Sequence, residues 1–299
     1  MKENQMKNKR VGTYSRGAAA WLLILAVAAF ALPSDAAALE KLRPEEVVAK
    51  HLESIGAAEA RSSIRSRIIA GTVVATLKAP GTAQFSGRAV MASEGDKNMI
   101  GMGFENAKYS QEKFGFDGEN VTVGYANPGL RSNLSDFILT HKDILKSGLL
   151  GGTLSNAWPL LSLPEKSVKL EYGGTRKIGG KAAYELRYLP RGGSDIQISL
   201  FFDTETFQHV RTEYTRFIPA GIGANVDASG SQRATRYKMT EDFSDFRKES
   251  GLTLPHAYKI ELELDTRAGT FIGDWELTLT QFAFNQPITS GSFNVNANQ

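Results

Sequence analysis

Residues 195–214, DIQISLFFDTETFQHVRTEY, decide how the chain is read. Ile196, Ile198, Leu200 and Phe202 fall on alternate positions, and strand side chains alternate between faces, so they form one apolar stripe. Asp203-Thr204-Glu205-Thr206 supplies a polar turn, after which Phe207, Val210, Thr212 and Tyr214 resume a β-prone run. The spacing predicts a hairpin whose stripe faces either a packed core or a cavity. His209, on the other parity from Val210 and Thr212, is expected to point outward.

Working outward, β-periodicity recurs on both sides. Residues 69–77, 83–91, 98–104 and 109–116 read as strands separated by turn-rich stretches, and Asp117-Gly118 leads to Val121-Thr122-Val123. Short turns between consecutive strands predict an antiparallel meander, because a parallel pair needs a long crossover. Downstream, residues 168–172, 184–189 and 237–246 read as further strands. Ile260, Leu262 and Leu264 alternate, as do Trp275, Leu277 and Leu279. Phe282 and Phe284 lie on the opposite parity from Trp275, which predicts a bulge near Thr280. Gly173-Gly174 and Gly179-Gly180 read as turns, residues 220–231 as an exposed loop, and the tail after Pro287 as poorly anchored.

Two regions break this pattern. Arg43-Pro44-Glu45-Glu46 starts a helix with Val48, Leu52 and Ile55 on its apolar face, His51 at the core edge, and Gly56 ending it in the left-handed conformation. Leu134, Phe137, Ile138, His141, Ile144, Leu145 and Leu149 recur at helical steps, with Ser132 or Asn133 as cap. Residues 148–164, GLLGGTLSNAWPLLSLP, are apolar, yet their glycines and Pro159 prevent a long helix. They form either a movable cover or a loop packed permanently on the sheet.

The first 38 residues combine Lys2, Lys7, Lys9, Arg10 and Arg16, an apolar run over 18–32, and Ala36-Ala37-Ala38, the three parts of a secretory signal peptide. The run falls short of the roughly 20 residues that span a bilayer, so cleavage after Ala38 is expected, with no stable membrane span afterwards. A single domain over 39–299, with a helical cover around 130–164, is the expected organisation. The leader carries five of the 35 basic and two of the 32 acidic residues, so the remainder is balanced to zero. No basic footprint for nucleic acid follows. The chain has no cysteine, which excludes disulfides and thiolate chemistry.

No motif for a nucleophile, metal or nucleotide occurs, so no cofactor is expected and the protein reads as not an enzyme. The four histidines, His51, His141, His209 and His256, lie in separate elements without metal-ligand spacing. The densest polar cluster, residues 241–249, alternates so that Asp242, Ser244 and Asp245 flank outward positions while Phe243 and Phe246 supply burial. That is the pattern of a solvated sheet face rather than of an acid–base site.

Three stretches carry a resemblance. Residues 117–128 (DGENVTVGYANP) look like an Asp-Gly hairpin running to Asn-Pro. Residues 180–186 followed by 198–203 are similar to a central strand pair, and 241–246 followed by 251–256 look like an "E-x-F-S-D-y … G-x-x-L-P-h" stretch. In these the chain resembles the LolA/LolB-like periplasmic carriers and the outer-membrane lipoprotein-sorting proteins around them. The resemblance implies an α+β fold, a curved antiparallel sheet forming an incomplete barrel over a few helices. It also implies non-covalent binding of a lipid or lipoprotein acyl chain in an apolar cavity. The chain lacks a clear Arg-Pro pair after the second strand, as the better-known carriers have it, and Arg88 is only a positional candidate for a lid-closing arginine.

On that basis the expected cavity is lined by Val121, Val123, Tyr184, Leu186, Ile198, Leu200, Phe202, Ile260, Leu262, Trp275 and Leu277, with Phe137, Leu149 and Trp158 from the cover. The expected partners are a lipid or acylated protein and an envelope protein acting as donor or acceptor. The alternative is an envelope protein-interaction or sensor module with a filled core and an exposed apolar groove or sheet edge.

Overall fold

The computed structural model describes residues 42–78, 81–163, 168–190, 192–220, 234–266 and 269–296. The expected signal peptide, and all of the expected loop over 220–231 but Ala220, lie outside them. In chain order the elements are α1 (Pro44–Ile55), α2 (Ala58–Ser63), β1 (Ser66–Lys78), β2 (Thr82–Glu94), β3 (Lys97–Phe104), β4 (Gln111–Phe116) and β5 (Val121–Val123). There follow α3 (Asn133–Thr140), α4 (Asp143–Lys146), β6 (Lys169–Ile178), β7 (Lys181–Leu189), β8 (Gln197–Asp203), β9 (His209–Ile218), β10 (Thr235–Glu249), β11 (Leu252–Thr266) and β12 (Gly269–Phe284).

All twelve strands join one antiparallel sheet in the order β5-β4-β3-β2-β1-β12-β11-β10-β9-β8-β7-β6. It is two meanders fused where β1 pairs with β12. The fold is α+β, an open curved sheet wrapped over a few helices. One consequence positions everything else: β5 and β6 are neighbours in sequence but occupy opposite edges, so the chain between them must cross the whole sheet. This crossing carries α3, α4 and two short 3-10 turns, Gly152–Leu154 and Pro159–Ser162. Leu149, Leu150, Leu154, Trp158 and Leu160 on it are all buried, so this part of the crossing lies packed on the sheet.

The expected bulge at Thr280 is present: Ala70 pairs with Gln281 and Gly71 with Leu279, leaving Thr280 between them. Elsewhere the structure corrects the sequence reading. His209 points inward and is fully buried, because β9 has a second bulge: Phe201 pairs with Arg211 but Phe202 with His209, and skipping Val210 reverses the parity. Phe207 sits in the turn at φ 56, where Asp203 Oδ1 accepts from the backbone N–H groups of Glu205 and Thr206. Gly173-Gly174 is a bulge within β6, not a turn. A Cβ on Gly173 would lie 2.7 Å from Glu185 Cγ.

Gly56 ends α1 at φ 151 and ψ 175, outside the left-handed helical region, where it approaches the Gly251 carbonyl too closely for a side chain. The expected long helix after residue 132 splits at His141 into α3 and α4, with the Ser132 hydroxyl accepting from the Ser135 N–H as cap. The tail is anchored: Phe293 and Val295 are buried, and the Val295 N–H donates to Thr122 Oγ1 at 3.0 Å.

Candidate functional site

Val123, Tyr184, Leu186, Ile198, Leu200, Phe202, Ile260, Leu262, Trp275 and Leu277 belong to one buried cluster together with Phe137, Leu149 and Trp158 of the crossing, and Val121 packs half-buried against it. Side chains meet side chains there. Phe202 lies 4.8 Å from the His51 ring and 5.5 Å from the His209 ring, and Trp158 stacks on His209 at 4.7 Å. Ile198, Leu149 and Trp275 also reach the walls of surface grooves, the first two a groove of about 360 Å³ beside α4 and Trp275 one of about 220 Å³.

Polar groups tie the crossing to this interior. Glu241 of β10 is fully buried. Its Oε1 accepts from Tyr258 Oη at 2.6 Å and from the Gly151 N–H at 2.7 Å, and its Oε2 accepts from Tyr214 Oη at 2.7 Å. Burial pushes this carboxyl up to about 7, against the pull of the three donors. Glu112 of β4 has a similar setting, accepting from Tyr109 Oη and Ser135 Oγ, both at 2.6 Å, and burial raises it too. The Trp275 indole N–H donates to Tyr109 Oη at 2.7 Å, so the network joins α3, β4 and β12.

His51 lies fully buried rather than at the core edge. Its Nδ1–H donates to the Phe207 carbonyl at 3.0 Å, and its Nε2 accepts from the Trp158 indole N–H at 3.3 Å. Burial pushes His51 down to about 4, and burial together with the nearby His51 lowers His209 well below its ordinary value. Both are neutral structural groups. On the opposite face Arg211 grips Asp242 through two bonds, of 2.7 and 2.8 Å, in agreement with the outward position read for Asp242.

Sequence reasoning passed over Glu112, and it read Glu241 with residues 241–249 as part of a solvated face, whereas Glu241 is fully buried. Their signal was parity. Glu112 shares a face with Phe114 and Phe116, and Glu241 with Met239 and Phe243, so each acid sits on an apolar stripe. Among the described residues no group of three or more His, Asp or Glu side chains is placed to hold a metal ion. No described helix is long and apolar enough to cross a membrane.

An apolar opening lies where the crossing meets α1. Val48 and Leu160 floor a groove of about 440 Å³, and the half-buried Leu52, Leu161, Leu163, Val168 and Leu170 form its walls, with Glu45 and Ala49 at the rim. Leu170 belongs to β6, whose outer edge pairs with no other described strand. The site is therefore an apolar trench with Glu45 at its rim, beside a sheet edge that no described strand covers.

No family model and no curated protein matches the chain. Among solved structures it is similar to a LolA superfamily protein from Nitrosomonas europaea, with 15% identity, 86% of this chain and 99% of that one covered, and a TM-score of 0.45. A putative outer membrane lipoprotein-sorting protein domain from Vibrio parahaemolyticus gives 12% identity, 84% and 98% coverage and a TM-score of 0.39. A DUF1329 family protein from Desulfovibrio piger gives 10%, 85%, 98% and 0.41. At these identities and TM-scores no residue takes a role from them.

Proposed function

We propose that the protein is a non-catalytic binding protein of the periplasm that takes an acyl chain, free or protein-linked, into the groove between α1, the crossing and β6. The carrying observation is the trench itself, with five half-buried aliphatic side chains over a floor of Val48 and Leu160. At about 0.8 kcal/mol per buried methylene, ten methylenes contribute roughly 8 kcal/mol, in the micromolar range before the cost of immobilising the chain. The leader of basic, apolar and small residues supports secretion to that compartment.

Magnitude also favours the groove over the interior. Opening the stripe of Leu186, Leu200, Phe202, Ile260, Leu262 and Leu277 to a ligand means lifting Leu149, Leu150, Leu154, Trp158 and Leu160 out of the core. Re-exposing five such side chains costs on the order of 10 kcal/mol, comparable to the whole stability of a domain. In this reading the interior stripe is scaffold, and the chain lies outside Leu160.

The test is lipid mass spectrometry on protein purified from its envelope, with titration of a fluorescent fatty acid. Stoichiometric lipid, or uptake weakened by Leu163→Asp, supports the reading. Neither lipid nor uptake overturns it. A second reading, a protein-interaction module, draws on the filled interior and the free edge of β6. Capture of an envelope protein by the lipid-free chain, lost on Leu170→Pro, would decide for it.

A further inference from the structure

On the far side of Leu161 the surface changes character. A second groove, of about 620 Å³, shares Leu161 with the apolar trench and is lined by Arg61, Arg65, Arg67, Glu94 and Asn156. Three arginines thus line one groove with a single acidic residue, Glu94, which faces Lys97 at 3.7 Å. Among the described residues no carboxylate ion-pairs with Arg61, Arg65 or Arg67. Arg61 uses Nη1 on the carbonyls of Leu52 and Gly56, holding the end of α1, while Arg65 is exposed.

Arg67 is the telling group. It is only 2% exposed, its Nη1 donates to the Thr153 carbonyl at 2.5 Å, and its buried Nε has no hydrogen-bond partner. Burying an arginine without a counter-charge is costly, and a hydrophobic residue would fill the same space at lower cost. Burial lowers it only to about 10, so it stays charged at neutral pH. A planar guanidinium of this kind matches a phosphate or carboxylate.

We propose that this basic groove takes the oxyanion head of the same single-chain amphiphile whose tail lies in the trench, the chain passing over Leu161. The assignment rests on the acyl-chain reading and adds the class of head group. Arg65 and Arg67 supply the charge, and Leu161 is the hinge point between water-facing head and buried tail.

The test is calorimetric titration of the full chain, purified and delipidated, with lauric acid, lysophosphatidic acid, neutral monolaurin and inorganic phosphate. Either anionic amphiphile is expected to bind at least tenfold more tightly than monolaurin, with the gap shrinking at high salt. Comparing lauric acid with lysophosphatidic acid tells a carboxylate head from a phosphate one. Arg65→Glu, an exposed position that leaves the fold intact, is expected to erase the gap and leave monolaurin unchanged. Equal binding of anionic and neutral amphiphiles, or a gap indifferent to Arg65→Glu, overturns the head-group site while the acyl reading stands. Phosphate binding as tightly as the amphiphiles overturns the shared-ligand assignment. No amphiphile bound at all overturns the acyl reading beneath it.

Discussion

Replacing Glu241 with Gln isolates a fully buried carboxyl that holds the crossing to the sheet at Gly151. In the folded chain burial raises this group from 4.5 to about 7. A raised carboxyl favours the fold while protonated, so its contribution is complete below about pH 4.5 and is lost as pH rises through about 7. The size follows from the shift, about 3 kcal/mol. Gln keeps the geometry, because its carbonyl can accept from Tyr258 and the Gly151 N–H while its amide donates to Tyr214 Oη. It never ionises. Urea denaturation of both proteins at pH 5, 7 and 9 is expected to show nearly equal stabilities at pH 5, with Glu241→Gln ahead by about 3 kcal/mol at pH 9. Other groups titrate alike in the two proteins and cancel, and Tyr214 and Tyr258, held well above 10, stay neutral throughout. A difference that does not change with pH, or that shrinks as pH rises, would refute the placement of a strained buried acid under Gly151.

His51 works in the opposite sense. Lowered from 6.5 to about 4, it adds stability above pH 6.5 that is lost as pH falls toward 4, so His51→Gln is expected to flatten the acid limb of a denaturation series by about 3 kcal/mol. Trp158→Ala, at a fully buried position stacked on His209, is expected to cost about 3–5 kcal/mol by thermal or urea unfolding. Gly148→Ala is expected to cost about 2 kcal/mol or more on the same assays, because Gly148 sits at φ 75 and an added Cβ collides with the Ala157 carbonyl.

Alternation is a local property, and it made the sheet legible. Ile198, Leu200 and Phe202, then Ile260 and Leu262, then Trp275 and Leu277, all face the interior as their spacing requires. The bulge at Thr280 was readable because Phe282 and Phe284 break parity with Trp275. The bulge at Val210 was not, since no flanking apolar residue marks the change and His209 accepts either side. The trench escaped the sequence reading because Leu52, Leu161 and Leu170 lie more than a hundred positions apart at their extremes, each on an element that looks ordinary alone.

Determined by the sequence alone were the antiparallel pairing, forced by short turns, the apolar stripe of residues 196–202, and the poverty of catalytic motifs. Only the tertiary structure decided what the stripe meets. With β5 and β6 at opposite edges, the crossing is compelled to lie over the interior and fill it with Leu149, Leu154 and Trp158. Strand order follows from long-range pairing, which no local spacing encodes, and that order laid the crossing over the stripe and brought α1 beside β6, where a groove opens at their seam.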